Sequence, residues 1–101
     1  MNPRLPITGA ALKRFCTNHQ IARLSLFGST LRGTDGPDSD VDLLVEFQLW
    51  AHPSLLDMVG MEAELSALLG GRRVDLRTPA ELSRYFRAEV VAHAEVQFVA
   101  A

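Results

Sequence analysis

Cysteine is nearly absent from this chain of 101 residues. Cys16 stands alone, so no internal disulfide can form, and a hydrophobic core must supply the stability. Its position on the apolar side of the first helix predicts a buried thiol. No apolar run approaches the roughly 20 residues that a membrane-spanning helix needs. The N-terminal Met1-Asn2-Pro3-Arg4 lacks a secretory hydrophobic region. The expectation is a cytoplasmic chain with no membrane association. Basic residues are missing from the middle: no Lys or Arg occurs between Arg32 and Arg72, whereas Asp35, Asp38, Asp40, Asp42, Glu46, Asp57, Glu62 and Glu64 do. The net charge of −2 therefore conceals an anionic centre between cationic ends, with Arg32, Arg73 and Arg77 nearest to the acids. Histidine is sparse too, and His19, His52 and His93 show no ligand spacing, so capping or surface roles are expected. Trp50 and Tyr85 are read as packing or interface side chains.

What is present begins with Gly28-Ser29, separated by ten residues from Asp40-Val41-Asp42. Ahead of the glycine, Ala22, Leu24 and Leu26 alternate with Arg23, Ser25 and Phe27, the period of a strand. Gly28 permits unusual dihedrals and close backbone approach, and Ser29 is suited to cap a helix beginning near Thr30. A strand handing over to a helix N-terminus offers free N–H groups and a positive dipole end to a phosphate. From Asp40 to Phe47 the alternation returns, with Val41, Leu43, Val45 and Phe47 on one face and Asp40, Asp42, Leu44 and Glu46 on the other. Both aspartates point the same way, and their mutual repulsion is relieved by a hard divalent cation such as magnesium. Asp75 lies in a third alternating segment, Arg73 to Arg77. If that strand neighbours the Asp40 strand, three carboxylates converge and suit two metal ions roughly 3.5–4 Å apart.

The remaining pattern is helical. Thr8 predicts a cap for a helix to about Asn18, with Ala11, Leu12, Phe15 and Cys16 inward. Pro53 is expected at a first helical position, followed by a broad apolar stripe of Leu55, Leu56, Met58, Val59, Met61, Leu65, Leu68 and Leu69 up to a Gly70-Gly71 stop. Thr78-Pro79-Ala80-Glu81 reads as a capping box opening a helix whose Leu82, Phe86 and Val90 face the core. Val96 to Val99 is expected as a short strand or a docking tail. Gly33 to Ser39 reads as a loop bordering the site. The pattern gives an alternating α/β plan in a single domain spanning 1–101.

The runs Gly28-Ser29-Thr30-Leu31-Arg32-Gly33, Ser39-Asp40-Val41-Asp42-Leu43 and Val74-Asp75-Leu76 resemble the minimal nucleotidyltransferases of the DNA polymerase beta superfamily, over residues 8–94. Leu31 stands where many members carry alanine. The resemblance makes the fold class α/β (α+β), a small mixed sheet flanked by helices, and implies a palm-like fold in which Gly28 and Ser29 hold the triphosphate. The charge distribution adds Arg32 as a further nucleotide-binding residue. The resemblance also implies that Asp40, Asp42 and Asp75 bind magnesium, with Asp75 helping to activate an acceptor hydroxyl. ATP would be the substrate and two Mg2+ ions the cofactor. Small members commonly pair with a helical HEPN toxin and adenylylate one of its tyrosines, so the expected function is a protein adenylyltransferase acting as antitoxin. A non-catalytic antitoxin that neutralises its partner by binding is the alternative, and a subunit modifying a small molecule or RNA end is a third. No feature points directly to nucleic acid.

Overall fold

The computed structural model describes residues 7–28, 40–85 and 87–100. Helix α1 (Gly9–Asn18) starts where expected, the Thr8 hydroxyl accepting from the Ala11 N–H at 3.1 Å. Leu12, Phe15 and Cys16 lie on one side at helical spacing and are buried. Strands β1 (Ile21–Phe27) and β2 (Val41–Phe47) pair antiparallel. Helix α2 (Leu55–Leu68) then crosses to β3 (Val74–Arg77), which pairs parallel with β2. A single 3-10 turn (Pro79–Glu81), helix α3 (Arg87–His93) and strand β4 (Glu95–Val99) complete the chain, β4 pairing antiparallel with β1. The sheet order is β3-β2-β1-β4. It is the mixed α+β sheet expected from the sequence.

The core fills one face of that sheet. Leu24 and Leu26 of β1, Val41, Leu43 and Val45 of β2 and Leu76 of β3 meet Leu12, Phe15, Met61 and Leu65 of the two long helices. The opposite face is covered in part, because Leu44 and its register partner Ser25 are buried although strict alternation assigns them a polar face. The 3-10 turn packs on β2 there and Leu82 is buried beside it. Cys16 has no exposed surface, and burial pushes its thiol up to about 12.

Three expectations require correction. Pro53 is not the first helical residue: Ser54 is the N-cap, its hydroxyl accepting from the Asp57 N–H at 3.0 Å while the Asp57 carboxylate accepts from the Ser54 N–H at 2.8 Å. Those bonds hold the Asp57 carboxyl below its usual range. Ser54 and Asp57 together satisfy two otherwise orphan donors, and a proline in the cap position has neither the hydroxyl nor the N–H for this exchange. Second, only part of the α2 stripe is inward. Met61, Leu65 and Leu69 are buried, while Leu55, Leu56, Val59 and Leu68 are exposed, since one sheet face accommodates one side of a helix. Third, the segment after Thr78 is not one helix. Glu81 accepts from the Thr78 N–H and hydroxyl, yet Leu82 is already extended and helix α3 begins only at Arg87. Val90 is half-buried and Phe86 lies outside the described residues. Of the two readings of the tail, the short strand holds: β4 gives β1 its second neighbour.

Truncating Leu24→Ala is expected to cost about 2–5 kcal/mol in urea unfolding, whereas Leu55→Ala stays within about 0.5 kcal/mol. Native Cys16 is expected to resist thiol reagents that label the unfolded chain at once. Because the folded thiol titrates above the unfolded one, its contribution to stability is intact below pH 9 and is lost as pH rises towards 12, which alkaline unfolding measures.

Candidate active site

The site is assembled where three strand ends meet. β1 finishes at Phe27, whose register partner on β2 is Asp42. The next residue, Gly28, takes a φ of +73°, a conformation that a side chain disfavours. A Cβ built there would run into the Asp42 carboxylate, with Cγ at 3.1 Å. Glycine is thus required twice, by dihedral and by the carboxylate behind it. On the other side of β2, Val41 is in register with Val74 and Asp42 with Asp75. Parallel neighbours lie about 4.7–4.9 Å apart, so Asp42 and Asp75 stand side by side on one face. Asp40 lies immediately before β2, two residues ahead of Asp42, and is exposed.

Arginines attend this anionic group. Arg73 Nε stands 3.3 Å from Asp40 Oδ1, and Arg77 Nε donates to Asp75 Oδ2 at 3.1 Å. The Arg77 guanidinium is raised above its ordinary range, first by that hydrogen bond and then by the charges of Asp75, Glu81 and Asp42. Both pairs are substantially exposed and contribute at most about 1 kcal/mol each, so a stronger cation can exchange for them. Among the described residues, no three carboxylate, imidazole or thiolate groups stand close enough to cage a metal ion as they lie. The donor chemistry and the shared face nevertheless fit magnesium, with Asp40 and Asp75 turned to arginine partners.

A cleft of about 250 Å3 opens onto this face, its lining drawn from Phe27, Asp42, Asp75, Arg77, Leu82 and Ser83. A larger cavity, about 480 Å3, lies at the opposite end of the sheet near His19, His52 and Glu64. Size does not locate the chemistry, because the paired carboxylates and the glycine turn are at the smaller cleft. His19 is the C-cap of α1, and its Nε2 meets Glu64 Oε1 at 3.0 Å, the capping role expected of it.

The structure therefore brings Gly28, Asp42 and Asp75 together, with Asp40 alongside, and adds Arg73 and Arg77. Ser29, Arg32 and the expected helix near Thr30 lie outside the described residues. Sequence reasoning did not find Phe27 and Leu82 as cleft walls, and their apolar character in strand and helix patterns offered no signal. It did not find Glu62 either, whose Oε2 accepts from the Leu76 N–H at 2.8 Å and ties α2 to the strand that carries Asp75. A helical glutamate meeting a strand amide fourteen residues away has no local signature.

The described site is thus a glycine turn against one carboxylate at the end of a mixed sheet, with a second carboxylate in register beside it. The chain belongs to the nucleotidyltransferase domain family, whose pattern matches residues 10–98. It is 48% identical over 56 residues to the protein adenylyltransferase MntA of Thermococcus cleftensis, covering 55% of this chain and 54% of that protein. It is 43% identical over 60 residues to a protein of Methanocaldococcus jannaschii assigned the same activity, covering 59% of this chain and 61% of that one. The matches thus span little more than half the length of these relatives. Among solved structures, one assigned as a minimal nucleotidyltransferase superposes with a TM-score of 0.70 at 36% identity over 85% of both chains. A toxin-antitoxin complex solved with AMP-PNP superposes with a TM-score of 0.73, covering 93% of this chain and 75% of that one. At 19% identity it is a likeness of fold.

Gly28→Ala is expected to cost roughly 1–2 kcal/mol from the dihedral alone, read as a fall in thermal midpoint of about 4–8 °C per kcal/mol. Displacement of the Asp42 carboxylate adds a loss of nucleotide affinity, measurable with a fluorescent ATP analogue.

Proposed function

We propose that this chain, acting as a single cytoplasmic domain, is a magnesium-dependent nucleotidyltransferase. It moves AMP from ATP to a hydroxyl on a partner protein, a tyrosine of a HEPN-type toxin, and so serves as the antitoxin of the pair. The observation that carries the reading is the in-register Asp42–Asp75 pair set against Gly28. The naming of the Thermococcus relative as a protein adenylyltransferase supports the reaction, and the toxin-antitoxin neighbour with AMP-PNP supports both partner and nucleotide.

In this mechanism Gly28 lets the backbone approach the triphosphate, whose oxygens are met by N–H groups of the turn and by Ser29 and Arg32. Asp40, Asp42 and Asp75 would hold magnesium, two ions in number, and the bound metal would supply neutralisation of phosphate charge and polarisation of the phosphoryl group. Arg73 and Arg77, once exchanged from Asp40 and Asp75, would offset charge on the triphosphate. Asp75 accepts the proton of the acceptor hydroxyl. That oxygen bonds to the α-phosphorus as the bond to the β-phosphate bridging oxygen breaks, and pyrophosphate carries away the electron pair.

Intact-mass analysis of the co-purified partner after incubation with ATP and magnesium tests the reading. Wild type is expected to add one or more AMP units, and Asp40→Asn/Asp42→Asn to add none. A partner that stays inhibited and unmodified with both proteins would replace adenylylation with neutralisation by binding.

A further inference from the structure

Two clefts meet at Asp75. The catalytic one has been described. The other, about 200 Å3, lies on the outer side of β3, between that strand and α2. Its apolar wall is Leu55, Met58 and Val59, and Glu62 and Glu81 add carboxylates. Asp75, Arg77 and Glu81 line both clefts, so the two form one path around the edge strand, leading to the carboxylate proposed to take the acceptor's proton.

The outer cleft has the character of a protein-binding surface. Leu55 and Val59 stand one helical turn apart and are 83% and 52% exposed, beside half-buried Met58. Single exposed leucines need no explanation, but here they form a row along a groove. The charge is one-sided: among the described residues lining it, Glu62, Glu81 and Asp75 face Arg77, which is already bonded to Asp75. Strand addition to β3 is disfavoured at Leu76, because its N–H donates to Glu62. An occupant must therefore bind through side chains, which a helix laid in the groove does and an added strand does not.

We propose that the cleft between α2 and the outer edge of β3 is the docking groove for the acceptor protein. The groove takes an amphipathic helix whose apolar side chains cover Leu55 and Val59 and whose basic residue meets Glu62 and Glu81, leading the accepting hydroxyl around β3 to Asp75. This rests on the adenylyl-transfer reading for its direction, since the groove shares its inner end with the proposed site.

The test compares wild type, Leu55→Glu/Val59→Glu and the control Leu49→Glu, using the HEPN-type partner co-expressed with the full chain. Leu49 is 96% exposed and lies beyond the end of β2 that is remote from Asp42. Partner affinity is read by anisotropy of labelled partner, KM for the acceptor by AMP incorporation, and nucleotide affinity with a fluorescent ATP analogue. The double variant is expected to lose about tenfold or more in partner affinity and to raise the acceptor KM in step, with nucleotide affinity unchanged and Leu49→Glu silent. Raising NaCl from about 50 to about 500 mM is expected to weaken the wild-type complex, as an acidic groove holding a basic helix requires. Unchanged partner affinity in the double variant, an equal loss with Leu49→Glu, or a complex indifferent to salt would overturn the assignment. So would sedimentation showing that the double variant breaks a self-dimer while partner binding persists. If wild type transfers no AMP at all, the catalytic reading fails, and the affinity measurements still decide the groove.

Discussion

The parallel pairing of β2 with β3 is the constraint on which the rest of the site depends. It sets Val41 beside Val74 and Leu43 beside Leu76 on the core side, and in the same register it sets Asp42 beside Asp75 on the other. A shift of one residue would send Val74 and Leu76 to the polar face and carry Asp75 into the core, so burial of the apolar residues enforces the proximity of the carboxylates. The energy that holds two like charges together is thus supplied by the hydrophobic face of the same strands.

That arrangement explains the surroundings. A short edge strand of four residues has few ladder bonds of its own, and α2 reinforces it from outside through the Glu62 contact to Leu76. The arginines that flank Asp75 and Asp40 moderate the repulsion without burying themselves, which leaves the carboxylates accessible to a stronger cation. Gly28 closes the site from β1 because no side chain fits between its backbone and Asp42. The same helix that anchors β3 turns Leu55 and Val59 outward. Its two sides therefore serve different purposes, one packing the core and the other bordering a groove that leads to Asp75.

The legibility of the chain followed the range of the interactions. Helix α1 and strands β1, β2 and β3 were readable because Leu12, Phe15 and Cys16 repeat at helical spacing while Val41, Leu43 and Val45 repeat at two, each period reflecting one buried face. The helix start at Ser54 was misplaced because a proline and a serine in succession both signal a helix N-terminus, and only the reciprocal bond with Asp57 decides between them. The segment after Glu81 was misread as one helix because a capping box is a local device, whereas Leu82 leaves the helical path to pack near Leu44's face of the sheet.

By itself the sequence determined the chemistry on offer: the glycine turn, the spacing of Asp40 and Asp42, and the third aspartate between arginines, since these depend on residue identity and on the two-residue repeat of a strand. Only the tertiary structure decided that β3 pairs with β2 in the register that brings Asp75 to Asp42. It alone decided that arginines hold two of the carboxylates, and that one side of an apolar helix remains uncovered. Those outcomes rest on contacts between residues far apart in the chain, made wherever burial of Leu43, Leu65 and Leu76 in one core brings their strands and helix together.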